Sequence, residues 1–151
     1  MPPRRVEWIE RIKFVEREFS AVRLGVARLI TDSRSDPTVL SASSLRPRDL
    51  EYAADRCEGT YLIRLFAEFE TGLRLFWTSA RAGEPPGRTR DLIDGISASR
   101  RIRDLDRDRV HEVREFRNAL IHERLEDVQA ISLPNARQHL CRFFSHLPLK
   151  W

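Results

Sequence analysis

Arg117, Asn118 and His122 put a fixed cation, a carboxamide and an imidazole within six consecutive residues, Arg117-Asn118-Ala119-Leu120-Ile121-His122. Such a set can bind and cleave a phosphodiester. A guanidinium can hold a non-bridging phosphate oxygen and stabilise the charge that develops on it, and an imidazole, with a reference pKa of about 6.5, can relay a proton at neutral pH. The carboxamide of Asn118 can donate to phosphate or fix the imidazole. With RNA no metal is needed, because the ribose 2′-hydroxyl is an internal nucleophile and the protein has only to orient the phosphodiester and manage protons. No cofactor is expected.

The element that must carry these residues is a helix capped by Asp104 or Asp106 and running to about Arg124. On a wheel of about 100° per residue, Val110, Val113, Phe116, Leu120 and Ile121 form one apolar arc, and Arg117 falls inside it. Arginine is almost never fully buried without a partner. Arg117 therefore either pairs with an acidic neighbour, Glu70 or Glu115, or faces a cleft where an anion binds. His111, Glu115, Asn118 and His122 share a polar seam, while the offset between Arg117 and His122 is about 140°. That is too wide for both to reach one group from a regular helix, so the site needs the helix end, another helix or a second subunit. The plainer readings are that His122 complements the helix dipole and that Asn118 is a polar surface residue.

His111, Glu115 and His122 do not make a metal site by spacing, since the two histidines are eleven apart and no compact His-x-x-x-His occurs. His139 and His146 fall on the flank of the last helix as surface or groove positions. Cys57 and Cys141 have neither a partner nor finger-like spacing and read as free thiols. Trp8, Trp77 and most phenylalanines lie on apolar arcs, which favours core packing over base stacking; Trp151 is terminal and carries no signal.

The chain has 151 residues, 41% of them hydrophobic, enough for a single domain over 1–151 with a core of its own. The formal net charge is +4, from 27 basic residues of which only Lys13 and Lys150 are lysines. Arginine forks suit phosphate, although an arginine-rich composition also follows from a GC-rich genome. The densest charged run, Arg100 to Arg109, alternates with Asp104, Asp106 and Asp108 and reads as a solvated surface with internal ion pairs. No apolar run is long enough to span a membrane and no signal core follows the first residues, so a soluble, cytoplasmic protein with no membrane partner is expected.

Apolar steps of three and four from about Val6 to Ile30 predict a long first helix, and Thr31 to Arg46 has loop composition. A second helix should start near Pro47 and run towards Ala80. From Tyr61 to Trp77 its apolar arc is about 160° wide, which implies more than one neighbour. Gly83-Glu84-Pro85-Pro86-Gly87 breaks the chain, a short helix follows over about Thr89 to Ser97, and Ser132-Leu133-Pro134 starts the last one. With no strand alternation and no repeat, the expected fold is an all-α bundle of four main helices and one short one.

Arg117-Asn118-Ala119-Leu120-Ile121-His122, together with the preceding His111-Glu112-Val113-Arg114-Glu115-Phe116 and the earlier Leu65-Phe66-Ala67-Glu68-Phe69-Glu70, resembles the HEPN domains over residues 48 to 147. Nuclease members of that family carry Arg, usually a polar residue, a short spacer, then His. The resemblance implies a HEPN-like helical bundle that commonly dimerises, bringing two motifs to one cleft. It also implies metal-independent RNA cleavage leaving a 2′,3′-cyclic phosphate and a 5′-hydroxyl, often in toxin–antitoxin or defence settings, with an antitoxin or other protein partner. Family members often have a supporting acidic residue, for which Glu70 is the candidate. The alternative is a catalytically inactive HEPN-like module that binds RNA, a nucleotide or a protein through the same groove.

Overall fold

The computed structural model describes residues 4–81 and 83–151 and is all-helical. Five α-helices follow one another: α1 (Arg5–Ser35), α2 (Pro47–Ala80), α3 (Thr89–Arg100), α4 (Asp104–His122) and α5 (Leu133–Ser145). Single 3-10 turns occupy Pro37–Leu40 and Leu125–Asp127. Among the described residues the nearest thing to a sheet is one isolated antiparallel bridge between Arg4 and Lys150. No helix there is long and apolar enough to cross a membrane.

α2 is the centre of the bundle, and its broad apolar arc explains why. Leu62, Leu65, Phe66, Phe69, Leu73 and Phe76 are buried along it, and the helix packs against all four others. Pro47 sits in the first turn, where a missing N–H costs nothing, and Asp49 accepts a bond from the backbone N–H of Arg46 at 2.8 Å. At Gly72 a Cβ would stand 2.7 Å from Phe144 and 3.1 Å from Trp8, so only glycine lets α1 and α5 close on α2 there. Phe69 meets Phe143 edge-on at 5.6 Å and Phe144 at 5.0 Å. Trp151 is buried at the same end, edge-on to Phe76 at 5.6 Å, so the terminal residue that carried no sequence signal is part of the core.

α1 outlasts its expected end by one turn and more. Thr31, Ser33 and Ser35 have loop composition, but their hydroxyls donate to the carbonyls of Ala27, Ile30 and Thr31, so the helix loses no hydrogen bonds by including them. Burial does not follow the periodicity to the end. Trp8, Ile12, Val15 and Phe19 are buried, whereas Val22 is exposed and Val26 and Leu29 are only partly covered. The C-terminal part of α1 is thus left with little cover beyond its pairing with α2.

α4 carries the candidate motif. Neither expected aspartate caps it: Arg103 is the capping position, without a side-chain cap bond. Asp104 lies in the first turn and pairs with Arg107 at 3.1 Å, while Asp106 turns into the protein. The helix stops at His122, earlier than Arg124, because Glu123 adopts left-handed φ 53° and Arg124 N–H returns to the carbonyl of Ala119 at 3.0 Å.

Candidate functional site

α4 packs antiparallel to α2. Arg117 lies opposite Phe66 and Glu70, while Leu120, further along α4, lies opposite Gly59, earlier on α2. The apolar arc of Val110, Val113 and Phe116 forces this orientation, and Arg117 goes with it into the seam. Its side chain is 26% exposed, its guanidinium carbon lies 5.4 Å from the centre of the Phe66 ring, and its Nη1 donates to Asn118 Oδ1 at 2.9 Å. Nη2 stands 3.7 Å from Glu70 Oε2, close enough for charge attraction and too far for a hydrogen bond. Nε is buried without any partner. The cation is thus neutralised in part and keeps donors unused.

Glu70 explains the shortfall. Its Oε1 accepts from Arg74 Nη2 at 2.7 Å, Arg74 Nε at 3.2 Å and the Thr89 hydroxyl at 2.8 Å, which leaves Oε2 alone for Arg117. Arg74 also donates to the carbonyls of Pro86 and Gly87 at 2.9 and 3.2 Å, so one guanidinium fixes the loop between α2 and α3. Burial resists ionisation of Glu70, but the hydrogen bonds from Arg74 and Thr89, with the charges of Arg74 and Arg117, outweigh it and hold the carboxyl below its ordinary range.

The rest of the expected polar seam does not converge. His111 is 16% exposed and faces α3, its Nε2 at 2.7 Å from Asp94 Oδ1 while Arg114 Nε donates to its Nδ1 at 3.3 Å. That pattern makes His111 Nε2 the donor and ties α3 to α4. Glu115 is exposed and pairs with Arg114 at 3.3 Å, so it is not the partner of Arg117. His122 is exposed at the last position of α4, with neither a hydrogen bond nor an ion pair among the described residues. The structure therefore brings Arg117, Asn118 and Glu70 together and leaves His122 and His111 apart from them. Among the described residues no group of three or more His, Cys, Asp or Glu is arranged to hold a metal ion.

A second polar cluster lies at the opposite end of α4. Asp106, 4% exposed, has Arg142 Nε 2.7 Å from Oδ1 as an ion pair, and on Oδ2 accepts from Arg103 Nε and Nη2 at 3.1 and 2.9 Å, with His146 Nε2 also at 2.9 Å. Burial opposes its ionisation most strongly, yet the bonds from Arg103 and His146 and the charges of Arg103 and Arg142 together keep it below the ordinary aspartate range. The charged run was expected to be solvated; at Asp106 it is not. The signal was present in the spacing, since Asp106, Val110 and Val113 fall on one face at steps of four and three. His146 likewise fills a tie between α4 and α5 rather than a plain surface position. His139 is partly covered, and its basicity is lowered by burial first and by Arg109 second. Both cysteines are free, with burial raising each thiol above its ordinary value, which keeps them protonated and unreactive.

Comparison with protein-family models, with curated proteins and with solved structures finds no match to this chain. The site is read from its own geometry.

Proposed function

We propose that this protein is a metal-independent endoribonuclease of the HEPN type, acting as a homodimer in which Arg117 and His122 of two copies share one cleft, in a toxin or defence role. The observation that carries the reading is the incomplete neutralisation of Arg117, whose side chain is 26% exposed and whose Nη2 stands 3.7 Å from its carboxylate neighbour. A phosphate oxygen supplies the missing acceptor. Asn118, already oriented by Arg117, adds a second donor through its amide nitrogen. His122 lies five residues on, free to meet a substrate.

In this mechanism the 2′-hydroxyl oxygen attacks phosphorus as the P–O5′ bond breaks. The 2′ proton passes to one His122 imidazole, and the departing 5′-oxygen takes a proton from the imidazolium of the second copy. The products are a 2′,3′-cyclic phosphate and a 5′-hydroxyl, and Arg117 holds the oxygen on which charge builds. The second copy is required because Arg117 and His122 diverge by about 140° on one helix.

A second reading, a catalytically silent helical module that binds RNA, a nucleotide or a protein, is favoured by the absence of any group that orients the His122 ring among the described residues. End-group chemistry separates the two. Single-stranded RNA of mixed sequence should give cyclic-phosphate ends, and the same strand with 2′-deoxyribose throughout should stay intact. Cleavage of the deoxy strand, or a requirement for a divalent cation, overturns the proposal.

A further inference from the structure

Where α4 stops, α2 continues. Beyond the contact of Leu120 with Gly59, where a Cβ would stand 3.1 Å from the leucine, α2 has no α4 neighbour, and a groove of about 810 Å³ opens between its Asp55–Ile63 stretch and the turn after His122. The floor is apolar: Leu62, Phe116, Leu120 and Ile131 line it, and Leu125 at its edge is 50% exposed. The edge is mainly acidic. Asp55, Glu123 and Glu126 line the groove, none with an ion-pair partner among the described residues, and Arg56 is the one cation among the lining residues. Glu58 is accounted for, since it accepts from Leu133 N–H at 2.7 Å at the start of α5.

Those three free carboxylates are out of character for the molecule. It has a formal net charge of +4, and its other acidic side chains mostly sit against arginines. Unpaired carboxylates around an apolar floor repel nucleic acid and attract a cationic, amphipathic segment. The seat is also helix-shaped, because a helix laid there would extend the row of packing that α4 makes along α2.

We infer that this groove is the docking site for a basic amphipathic helix of a partner protein, its apolar face on Leu62, Phe116, Leu120 and Ile131 and its arginines or lysines against Asp55, Glu123 and Glu126. A helix so seated lies directly beside His122 and limits access to it. The inference stands whether or not Arg117 and His122 cleave RNA.

The test uses a fluorescein-labelled synthetic peptide of about 15 residues, long enough to form helix, with leucine at helical spacing and arginine on the flanks. Anisotropy should show saturable binding, with Kd on the order of 10 μM. The Glu123→Arg/Glu126→Arg variant should bind at least about tenfold more weakly, and so should Ala130→Trp, which fills the groove. The Glu84→Arg/Asp91→Arg variant, at two exposed carboxylates that do not line the groove, should bind as the wild type does. Melting temperatures check that every variant is folded; the exposed charge pair carries the test should Ala130→Trp fail to fold. The inference is overturned if no binding is seen, if a scrambled peptide of the same composition binds equally, or if the control variant loses as much affinity. It is also overturned if sedimentation shows a dimer that Glu123→Arg/Glu126→Arg converts to monomer and the peptide does not displace, because the occupant is then a second copy. Binding of single-stranded RNA that Ala130→Trp abolishes makes the occupant RNA and overturns it too.

Discussion

Two carboxylates organise the polar interior of this bundle, and they differ in how fully they are satisfied. Asp106 has close partners on both oxygens, Arg103 and His146 bonded to Oδ2 and Arg142 paired with Oδ1, and joins the start of α4 to the end of α5. Glu70 is saturated on Oε1 and nearly bare on Oε2, where Arg117 waits at 3.7 Å. Around Asp106 both oxygens are closely engaged, with Arg103 and Arg142 facing one carboxylate. Around Glu70 the charge balance is the same, Arg74 and Arg117 facing one carboxylate, but Oε2 accepts no hydrogen bond and Arg117 Nε donates none. A hub that is complete holds helices together; one that is short of acceptors can hold a ligand.

The contrast is open to attack by mutation, first at the complete hub. Asp106→Ala removes the acceptor of several charge-assisted bonds and should cost about 3 kcal/mol in urea unfolding. The same carboxylate sets an acid limit. Because its folded pKa lies below the ordinary 3.8, its contribution is fully present above that value and is lost as the pH falls through the lower folded value. Acid unfolding of Asp106→Asn should therefore be flatter below about pH 4 than that of the wild type. Equal acid limbs would remove Asp106 from its place at the centre of the tie.

At the incomplete hub the effects should be smaller. Glu70→Gln keeps the shape and loses the charge, and should cost about 1 to 2 kcal/mol, most of it through the Arg74 tie to the loop before α3. Smallest is Arg117→Ala, expected to change stability by less than about 1 kcal/mol, since its only close bond is to the neighbouring Asn118. A loss of several kcal/mol on Arg117→Ala would return the arginine to a structural pair with Glu70 and erase the contrast.

The helices were legible in the sequence where local signals and burial agree. Pro47 and the residues up to Ala80 delimit α2, and Ser132 caps α5 by accepting from Asn135 N–H, as its position before Leu133-Pro134 implies. They were misread where side chains act against their usual habit. The hydroxyls of Thr31, Ser33 and Ser35 bond back to the helix that composition would end, and Asp106 leaves the capping position to become a buried acceptor. At the candidate site, Glu70 was visible as an acid on the edge of an apolar arc, and the structure puts it beside Arg117. The roles of Arg74 and Thr89 were not visible, because Thr89 comes from another helix and only the fold brings it to Glu70. The polar seam of His111, Glu115, Asn118 and His122 was read from one helix alone, and in the folded chain its members do not converge. His111 is drawn to Asp94 of α3, Glu115 and Asn118 pair with their own helix neighbours Arg114 and Arg117, and His122 has no partner among the described residues.

The proposed activity is RNA cleavage by Arg117 and His122 without metal. It is tested most directly by incubating a mixed single-stranded RNA with the protein in excess EDTA, beside His122→Ala and Arg117→Ala variants of unchanged melting temperature and oligomeric state. The wild type should cleave the RNA, and each variant should lose at least about a hundredfold. Cleavage that survives in both variants, or none by the wild type, would contradict it.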